Sequence, residues 1–313
     1  MVTLLPWPTY VAAQSAASYP EKPVRVISAL ATGGAVDTVG RIVATKLSEN
    51  LRRQFIVENR LGGGGTIGYA YTAKAPPDGY TLLVAGSGYT IAPALYPIPF
   101  DPIKDIIPLS QTSTSAYLLV VHPSLPTKST RELVVLAKAQ PGVLNFGSGG
   151  VGSSVHFATE MLAEAAGVKF THIAYKGSGQ ALIDLVSGQL QLVMSNSISS
   201  LPLVKSGRLR VLGVSSAQRS VSFPEIPTIA ESGVPGFKLS VWTGLFGPGG
   251  MPADIVAKLN TEIAKALKDP EIARKMTDDG GEPIESLEQF RQPIRSELEI
   301  NRKIAQRANI KVE

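Results

Sequence analysis

The segment Leu144–Glu160 (LNFGSGGVGSSVHFATE) combines the residue types that best suit anion binding. It runs from a predicted strand into a predicted helix and places the hydroxyls of Ser148, Ser153 and Ser154 around the turn. Because a helix N-terminus has unpaired N–H groups and a partial positive charge, such a turn favours a bound anion. We predict that this turn and a second one, Ala31–Asp37, close on a small carboxylate.

Two residues near these turns have more than one interpretation. Asp37 follows the Gly33-Gly34 turn near a helix start. It either complements the helix dipole as a first-turn acid, or it shapes the loop or contacts a ligand. Trp242, on a strand that we expect to cross between domains, either lines a cleft or packs in the core. Both pairs of alternatives stay open at this point.

Other site chemistries find little support in the residues. The absence of cysteine excludes disulfides, thiolate metal sites and a cysteine nucleophile. The histidines His122, His156 and His172 lack metal-ligand spacing, and we expect them to be structural. Ser153 and His156 share a helix face, but no aspartate accompanies them and there is no strained nucleophile turn. We therefore predict no catalytic residue, no metal site and no cofactor.

Two segments match the dinucleotide fingerprint G-x-G-x-x-G, at Gly63-Gly65-Gly68 and Gly147-Gly149-Gly152. Neither is followed by the acidic residue that would bind a ribose hydroxyl at the end of the next strand. After the second segment that place holds Tyr175-Lys176-Gly177, where Lys176 could face a phosphate but fits better as a cation beside a cleft. An enzyme that binds NADP or phosphate through these turns remains the alternative.

The composition is that of a folded globular protein. The 313 residues are 44% hydrophobic and 18% charged, with a formal net charge of +5. The basic residues are scattered among acids and form no run or basic–aromatic stripe, so we predict no nucleic-acid partner.

Short apolar runs alternate with amphipathic stretches from Val24 onward, which predicts βα units and largely parallel sheets. Both halves contain a strand, a glycine-rich turn and a helix, so we predict a two-lobed α/β protein with a ligand cleft and two crossover strands. We place the first crossover at His122-Pro123 and the second along Leu239–Phe246. The predicted lobes are residues 19–122 plus 240–313, and residues 123–239. Three C-terminal helices should pack on the first lobe: Pro252–Lys268, Pro270–Asp278 and Leu287–Ala308.

Residues 1–18 are apolar and then rich in small residues, but no lysine or arginine precedes the apolar part. They suggest a degraded, truncated or cleaved secretion signal, and an ordinary disordered N-terminus is an equal alternative. No run of about eighteen apolar residues exists that could span a membrane.

Successive blocks of the chain resemble the Bug family, the extracytoplasmic solute receptors of tripartite tricarboxylate transporters. In order, the blocks are VRVISALATGGAVDTVGRIVATKL, VENRLGGGGTIGY, PPDGYTLLVAGSG, NFGSGGVGSSVHFATEML and HIAYKGSGQALIDLVSGQLQLVMSN. One block alone is weak evidence, but five in order are highly specific. The chain departs from the family pattern at Ala29-Leu30-Ala31-Thr32, at Val36 and in its signal segment.

The resemblance implies a two-lobed periplasmic binding protein (type II-like, Venus flytrap) that closes around a carboxylate held by backbone amides, hydroxyls and waters. The ligand would be a di- or tricarboxylate, an aromatic carboxylate or an acidic amino acid. Carried over to this chain, the predicted ligand contacts are Ala31, Gly33, Gly34, Ala35, Val36, Asp37, Ser87, Ser148, Gly149, Gly152, Ser153, Tyr175, Lys176, Gly177 and Asn196.

The resemblance also implies a location and partners. We expect export across the inner membrane to the periplasm, a monomeric receptor, and the membrane permease subunits of the transporter as partners. A ligand sensor that reports to a membrane kinase is a further alternative, which the residues do not separate from transport.

Overall fold

The strands form two separate five-stranded sheets in the computed structural model, which describes residues 18–30, 32, 35–272 and 287–312. In chain order the strands are β1 (Val24–Ser28), β2 (Phe55–Asn59), β3 (Thr81–Gly86), β4 (Ile106–Ser115), β5 (Tyr117–Val121), β6 (Asn145–Ser148), β7 (Thr171–Ala174), β8 (Leu192–Asn196), β9 (Arg210–Val214) and β10 (Val241–Pro248). The helices are α1 (Ala35–Leu51), α2 (Thr66–Ala73), α3 (Gly88–Leu95), α4 (Thr130–Ala139), α5 (Ser154–Ala166), α6 (Ser178–Val186), α7 (Ser197–Lys205), α8 (Ile229–Ser232), α9 (Ala253–Leu267) and α10 (Leu287–Arg307).

The two sheets have the same plan. The first has the order β2-β1-β3-β10-β4 and the second the order β7-β6-β8-β5-β9. In each, three parallel strands of consecutive βα units are joined by a strand that runs antiparallel, β10 in the first sheet and β5 in the second. Strands β1, β3, β6 and β8 each lead into a helix at their carboxyl end, which is where open α/β sheets bind ligands. The predicted mixed α/β architecture with two sheets is confirmed.

The first crossover lies earlier than the sequence predicted. β5 pairs with β8 and β9 of the second sheet, so the chain changes sheets at Ala116, between Ser115 and Tyr117. Placing the crossover at His122-Pro123 was wrong, because an apolar strand that is buried on both faces carries no sign of which sheet it joins. The second crossover leads into β10, near the predicted Leu239–Phe246, and the exact limits of the lobes stay a prediction.

The sequence interpretation also missed β4, α3 and the short helix α8. β4 alternates serine and threonine with few apolar residues and contains Pro108, which is unusual for a strand. α3 begins with Gly88 and contains Pro93, so its residues have weak helix propensity. Of the predicted helix Pro270–Asp278, all but the first three residues lie outside the described part of the chain. No helix among the described residues is both long and apolar enough to cross a membrane.

The C-terminal helix α10 packs on the first sheet through Phe290. This side chain is 1% exposed, and its ring centre lies 5.1 Å from that of Trp242 and 5.6 Å from that of Phe246. Gly244 makes room for it, because a Cβ there would lie 2.5 Å from the Phe290 ring. The far end of the same helix packs against α5 through Ile304. Helix α10 therefore contacts elements of both sheets.

We expect the change Phe290→Ala to lower the free energy of unfolding by about 3–5 kcal/mol, because it removes a buried ring and leaves a cavity against β10. Urea denaturation would measure the loss. On the same helix Ile300 is 41% exposed, and Ile300→Ala should change stability by less than about 1 kcal/mol. Equal losses in the two variants would contradict the proposed packing role of Phe290.

Candidate functional site

A cavity of about 610 Å³ lies between the carboxyl-terminal strand ends of the two sheets. The first sheet and its helices contribute Leu30, Val36, Val39, Gly64, Gly86, Ser87, Gly88, Ile91, Ala92, Leu95, Tyr96, Ser113, Thr114, Ser115, Val241, Trp242 and Thr243. The second contributes Tyr117, Val151, Gly152, Ser153, Ser154, Asn196 and Ser199. The cavity therefore has the position of the predicted ligand cleft.

Four helices begin at this cavity. Its lining includes Val36 from the first turn of α1, Gly88 at the start of α3, Ser154 at the start of α5 and Ser199 from the first turn of α7. Each helix start carries a partial positive charge and backbone N–H groups without helical partners. Two of these helices belong to each sheet, so an anion in the cavity would be attracted from both sides.

The caps of α5 and α7 fix the geometry on the second-sheet side. Ser153 Oγ accepts a hydrogen bond from the backbone N–H of His156 (3.2 Å), and Asn196 Oδ1 accepts one from Ser199 (2.8 Å). Both are standard N-cap contacts. They use the acceptor oxygens only, so the Ser153 hydroxyl proton and the Asn196 amide protons remain as donors for a ligand.

On the first-sheet side, Ser87 is held against β10. Its backbone N–H donates to the carbonyl oxygen of Trp242 (3.1 Å), and its Oγ accepts from the Trp242 N–H (3.0 Å). This reciprocal pair fixes the turn between β3 and α3 on the strand that forms the cavity wall. Ser87 thus lines the cavity from a position that two hydrogen bonds determine.

A partly buried acid, Glu297 of α10, supports the same wall from behind. Trp242 Nε1 lies 3.0 Å from both carboxyl oxygens of Glu297, and Thr90 Oγ1 lies 2.8 Å from Oε2. Thr90 Oγ1 also lies 2.8 Å from the Ser87 carbonyl oxygen and accepts from Asn301 Nδ2 (3.1 Å). Burial raises the pKa of Glu297 to about 7.

The protonated form of Glu297 satisfies this network completely. A threonine hydroxyl has one proton, so Thr90 can donate to Ser87 or to Glu297 but not to both. A protonated Glu297 donates to Thr90 Oγ1 and still accepts from Trp242, which leaves the threonine proton for the Ser87 carbonyl. This role could not be predicted from the sequence, because a glutamate in an amphipathic helix is usually a surface residue.

Five of the predicted contact residues line the cavity: Val36, Ser87, Gly152, Ser153 and Asn196. Ala31, Gly33 and Gly34 lie outside the described residues, and Ala35 is the first residue of α1. The remaining predicted contacts are not among the residues that line the cavity; they are Asp37, Ser148, Gly149, Tyr175, Lys176 and Gly177.

Asp37 supports the first turn from inside the protein. Its side chain is 1% exposed; Arg41 Nε donates to its Oδ2 (2.9 Å) and Asn59 Nδ2 donates to its Oδ1 (2.8 Å). These contacts tie the start of α1 to β2. Of the two interpretations drawn from the sequence, this placement favours a residue that shapes the loop over one that contacts a ligand.

Ser148 has a similar position behind the second turn. It is fully buried; its Oγ accepts from the Gly150 N–H (3.1 Å) and lies 2.6 Å from His172 Nε2. The His172 ring stacks on His156 with ring centres 3.7 Å apart, and His156 Nδ1 accepts from the Gly152 N–H (3.2 Å). Burial lowers the pKa of both histidines to about 4, so both are neutral at pH 7.

The Tyr175–Gly177 segment lies at the end of β7, next to the glycine turn. The Tyr175 hydroxyl donates to Asp184 Oδ2 (2.7 Å), and Lys176 is exposed. A Cβ on Gly149 would lie 2.9 Å from Ser178 Oγ, so the two turns touch. A ligand contact from this segment stays a prediction.

The glycines of the second G-x-G-x-x-G segment have packing roles. A Cβ on Gly147 would lie 2.5 Å from Leu190 and 2.8 Å from Ala181, so the glycine lets α6 approach β6. Gly152 has a φ of +78°, and a Cβ there would lie 2.5 Å from Leu95 of α3. This glycine therefore lets the loop of the second sheet approach a helix of the first.

Sequence reasoning missed several lining residues. Ser113, Thr114 and Ser115 come from β4, which was not predicted, and Tyr117 donates from its hydroxyl to Ser154 Oγ (2.8 Å). The alternation of serine and threonine over residues 112–115 was the one feature of the sequence that could have indicated a polar strand here. Trp242 both lines the cavity and packs on Phe290, so both interpretations of this residue apply: it lines the cleft and it is part of the core.

Comparison with known proteins identifies related chains. Residues 39–310 match the family model described as Tripartite tricarboxylate transporter family receptor. Protein BugT of Bordetella pertussis (strain Tohama I) is 35% identical over 273 residues, which are 86% of this chain and 84% of BugT.

Solved structures are similar as well. The structure of R. palustris Rpa4515 with adipate has a TM-score of 0.78 and 33% sequence identity, covering 94% of this chain and 99% of Rpa4515. The periplasmic binding protein BugD has a TM-score of 0.75 and 29% identity, covering 94% of this chain and 100% of BugD. These matches confirm the predicted periplasmic-binding-protein fold and the resemblance to the Bug family.

The raised pKa of Glu297 predicts a pH dependence of stability. A glutamate with a pKa of 4.5 when unfolded and about 7 when folded binds more protons in the folded state between these values. The free energy of unfolding therefore falls as the pH rises through that interval. Between pH 5 and pH 8 we expect it to fall by about 2–3 kcal/mol more in the wild-type protein than in Glu297→Gln.

Urea denaturation at a series of pH values would measure this difference. Glu299→Gln is the matched control, because Glu299 is exposed on the same helix and should leave the pH profile of the wild type unchanged. Parallel profiles for the wild type and Glu297→Gln would show that Glu297 is already ionised in the folded protein at pH 5.

Proposed function

The chain belongs to the receptor family of the tripartite tricarboxylate transporters, and we propose that it binds a small carboxylate in the cavity between its two sheets and delivers it to a membrane permease. The observation that carries the proposal is the convergence of four helix starts on that cavity. The structure of Rpa4515 with adipate supports a carboxylate as the ligand class.

The proposed mechanism is a ligand-biased equilibrium between open and closed forms. Donors on the second-sheet side include Ser153 and Asn196, while the first-sheet side contributes the starts of α1 and α3. An anion that contacts both sides is bound more tightly when the two sides are close, so it shifts the population toward the closed form. Amides, hydroxyls and bridging waters can supply this affinity without an arginine.

We propose that this protein binds its ligand without changing it chemically, in agreement with its membership of a receptor family. A periplasmic location is supported by the similarity to BugD, and we propose export to that compartment. The predicted signal, residues 1–18, lies outside the described residues apart from Ser18. A monomer that docks on permease subunits completes the proposal.

The change Asn196→Asp tests the site directly. Aspartate caps a helix as well as asparagine does, so α7 should keep its start, but the new negative charge would face the cavity. We expect the affinity for small carboxylates to fall roughly tenfold, or about 1.4 kcal/mol. Isothermal titration calorimetry with di- and tricarboxylates, aromatic and aliphatic monocarboxylates and acidic amino acids would measure it.

Asn50→Asp is the matched control, since it adds the same charge at an exposed position near the end of α1 and should leave ligand affinity unchanged. If no carboxylate in the panel gives heat or a thermal shift with the wild-type protein, the proposed function is wrong. If Asn196→Asp binds as tightly as Asn50→Asp, the function stands but the site lies elsewhere.

A further inference from the structure

Glu297 occupies a position of α10 that otherwise belongs to the apolar face of this helix. Phe290, Ile294 and Ile304 precede or follow it by seven, three and seven residues, and all three are buried. Asn301, four residues after it, is also buried. Because positions three, four and seven apart share one face of a helix, the Glu297 side chain is directed at the first sheet.

A single residue separates this carboxyl group from the ligand cavity along two paths. Trp242 lines the cavity and donates from its indole Nε1 to the carboxyl oxygens of Glu297. Ser87 also lines the cavity, and its carbonyl oxygen and Glu297 Oε2 each lie 2.8 Å from the same Thr90 hydroxyl. The protonation state of Glu297 therefore acts directly on two residues of the cavity wall.

An ionised Glu297 would find no counter-ion on the elements of the first sheet that pack on α10. Helix α3 and strands β4 and β10 contain no charged residue, and their one titratable side chain is Tyr89, where burial raises the pKa above its usual value. The exposed surface of α10 carries the other charged groups near Glu297: Arg291, Arg295, Glu299, Arg302 and Lys303. Helix α5, with His156, Glu160 and Glu164, packs against the C-terminal end of α10.

Ionisation of Glu297 would change the charge behind the cavity wall more than its shape. The ionised carboxylate takes the Thr90 hydroxyl proton away from the Ser87 carbonyl oxygen, but the Thr90 backbone N–H still donates to that oxygen (3.2 Å). None of the described lining residues has a charged side chain, so nothing in the lining would offset the new negative charge. An anion in the cavity would be repelled through a medium that screens poorly.

We propose that Glu297 is a proton-linked positioning residue of the ligand cavity: a bound carboxylate and a protonated Glu297 stabilise each other, so the protein takes up a proton as it binds its ligand. The proposal rests on the proposed function, because it requires an anion in this cavity. Linkage makes the effect reciprocal, since protonation raises ligand affinity by the same factor by which the ligand raises proton affinity. With a pKa of about 7 in the free protein, Glu297 exchanges its proton near neutral pH.

The pH profile of ligand affinity gives the first test. Calorimetry of the full chain would use adipate, or the tightest-binding carboxylate of the panel, between pH 6 and pH 8.5, where such ligands stay ionised. Two like charges about 10 Å apart at an effective dielectric constant of about 20 lower affinity roughly tenfold. We therefore expect the wild-type affinity to fall about sevenfold across this range, because Glu297 is partly titrated at both ends.

Glu297→Gln should bind with nearly constant affinity across the same range. Its amide group can donate to Thr90 and accept from Trp242 as the protonated acid does, and it cannot ionise. Glu299→Gln is the matched control on the exposed face of α10 and should keep the wild-type profile. His156 and His172, whose pKa values are about 4, stay neutral throughout. A flat wild-type profile, or the same decline in Glu297→Gln, would overturn the proposal.

Proton uptake gives a second test that needs no variant. At pH 7.5 a tenfold coupling and a pKa of about 7 predict the uptake of about half a proton for each ligand bound. The difference between calorimetric enthalpies in HEPES and in Tris, which differ in ionisation enthalpy, measures this number. A side chain with a purely structural role would not change it. We expect no uptake in Glu297→Gln and the wild-type value in Glu299→Gln.

The results separate the proposal from the proposed function. A carboxylate that binds the wild-type protein without proton uptake would overturn the role of Glu297 and leave the function intact. Uptake that persists in Glu297→Gln would assign the proton to another group and would also overturn the proposal. If no carboxylate binds at any pH in the range, the proposed function and the role of Glu297 fail together.

Discussion

Anion recognition without a charged side chain depends on where the backbone N–H groups point. A flexible arginine can adjust to a ligand, whereas a helix start is fixed by the strand before it and the turn between them. The cavity therefore requires rigid turns on both sheets. Three side chains hold these turns in shape. Asp37 is buried behind the turn before α1, and Ser148 is buried behind the glycine turn of the second sheet. Ser87 lines the cavity and ties the turn between β3 and α3 to β10.

The side chains behind the cavity wall are either neutral or paired with an opposite charge, as recognition of an anion requires. A negative charge behind a cavity wall would oppose a bound anion through a medium that screens poorly. Burial holds His156 and His172 neutral, and it favours the protonated form of Glu297 up to about pH 7. The charge of Asp37 is balanced by Arg41. The weak partial charges of the helix starts thus dominate the potential inside the cavity.

The sequence predicted the βα units and the turns that matter, because hydrophobic periodicity and glycine position are local properties. It did not predict that β5 joins the second sheet, since sheet membership depends on pairing between distant residues. Residue type also did not show which serines line the cavity and which are buried behind a turn. Ser153 lines the cavity while Ser148 is buried behind the turn, although the two differ by only five positions. The role of Glu297 could not be predicted either, because its hydrogen-bond partner Trp242 is 55 positions away in the sequence.

The two crossovers limit how the sheets can move relative to one another. One residue, Ala116, joins β4 to β5, and a single residue spans less than about 4 Å, so large sliding is excluded there. The buried Ser215 links both crossovers, because Tyr117 N–H donates to its Oγ and this hydroxyl donates to the Leu239 carbonyl oxygen. Two adjacent extended segments held at one point permit rotation about a shared axis. In the proposed mechanism, closure on a ligand would then be mainly a change in the angle between the sheets, and the helix starts would keep their own turns intact while they approach the anion from both sides.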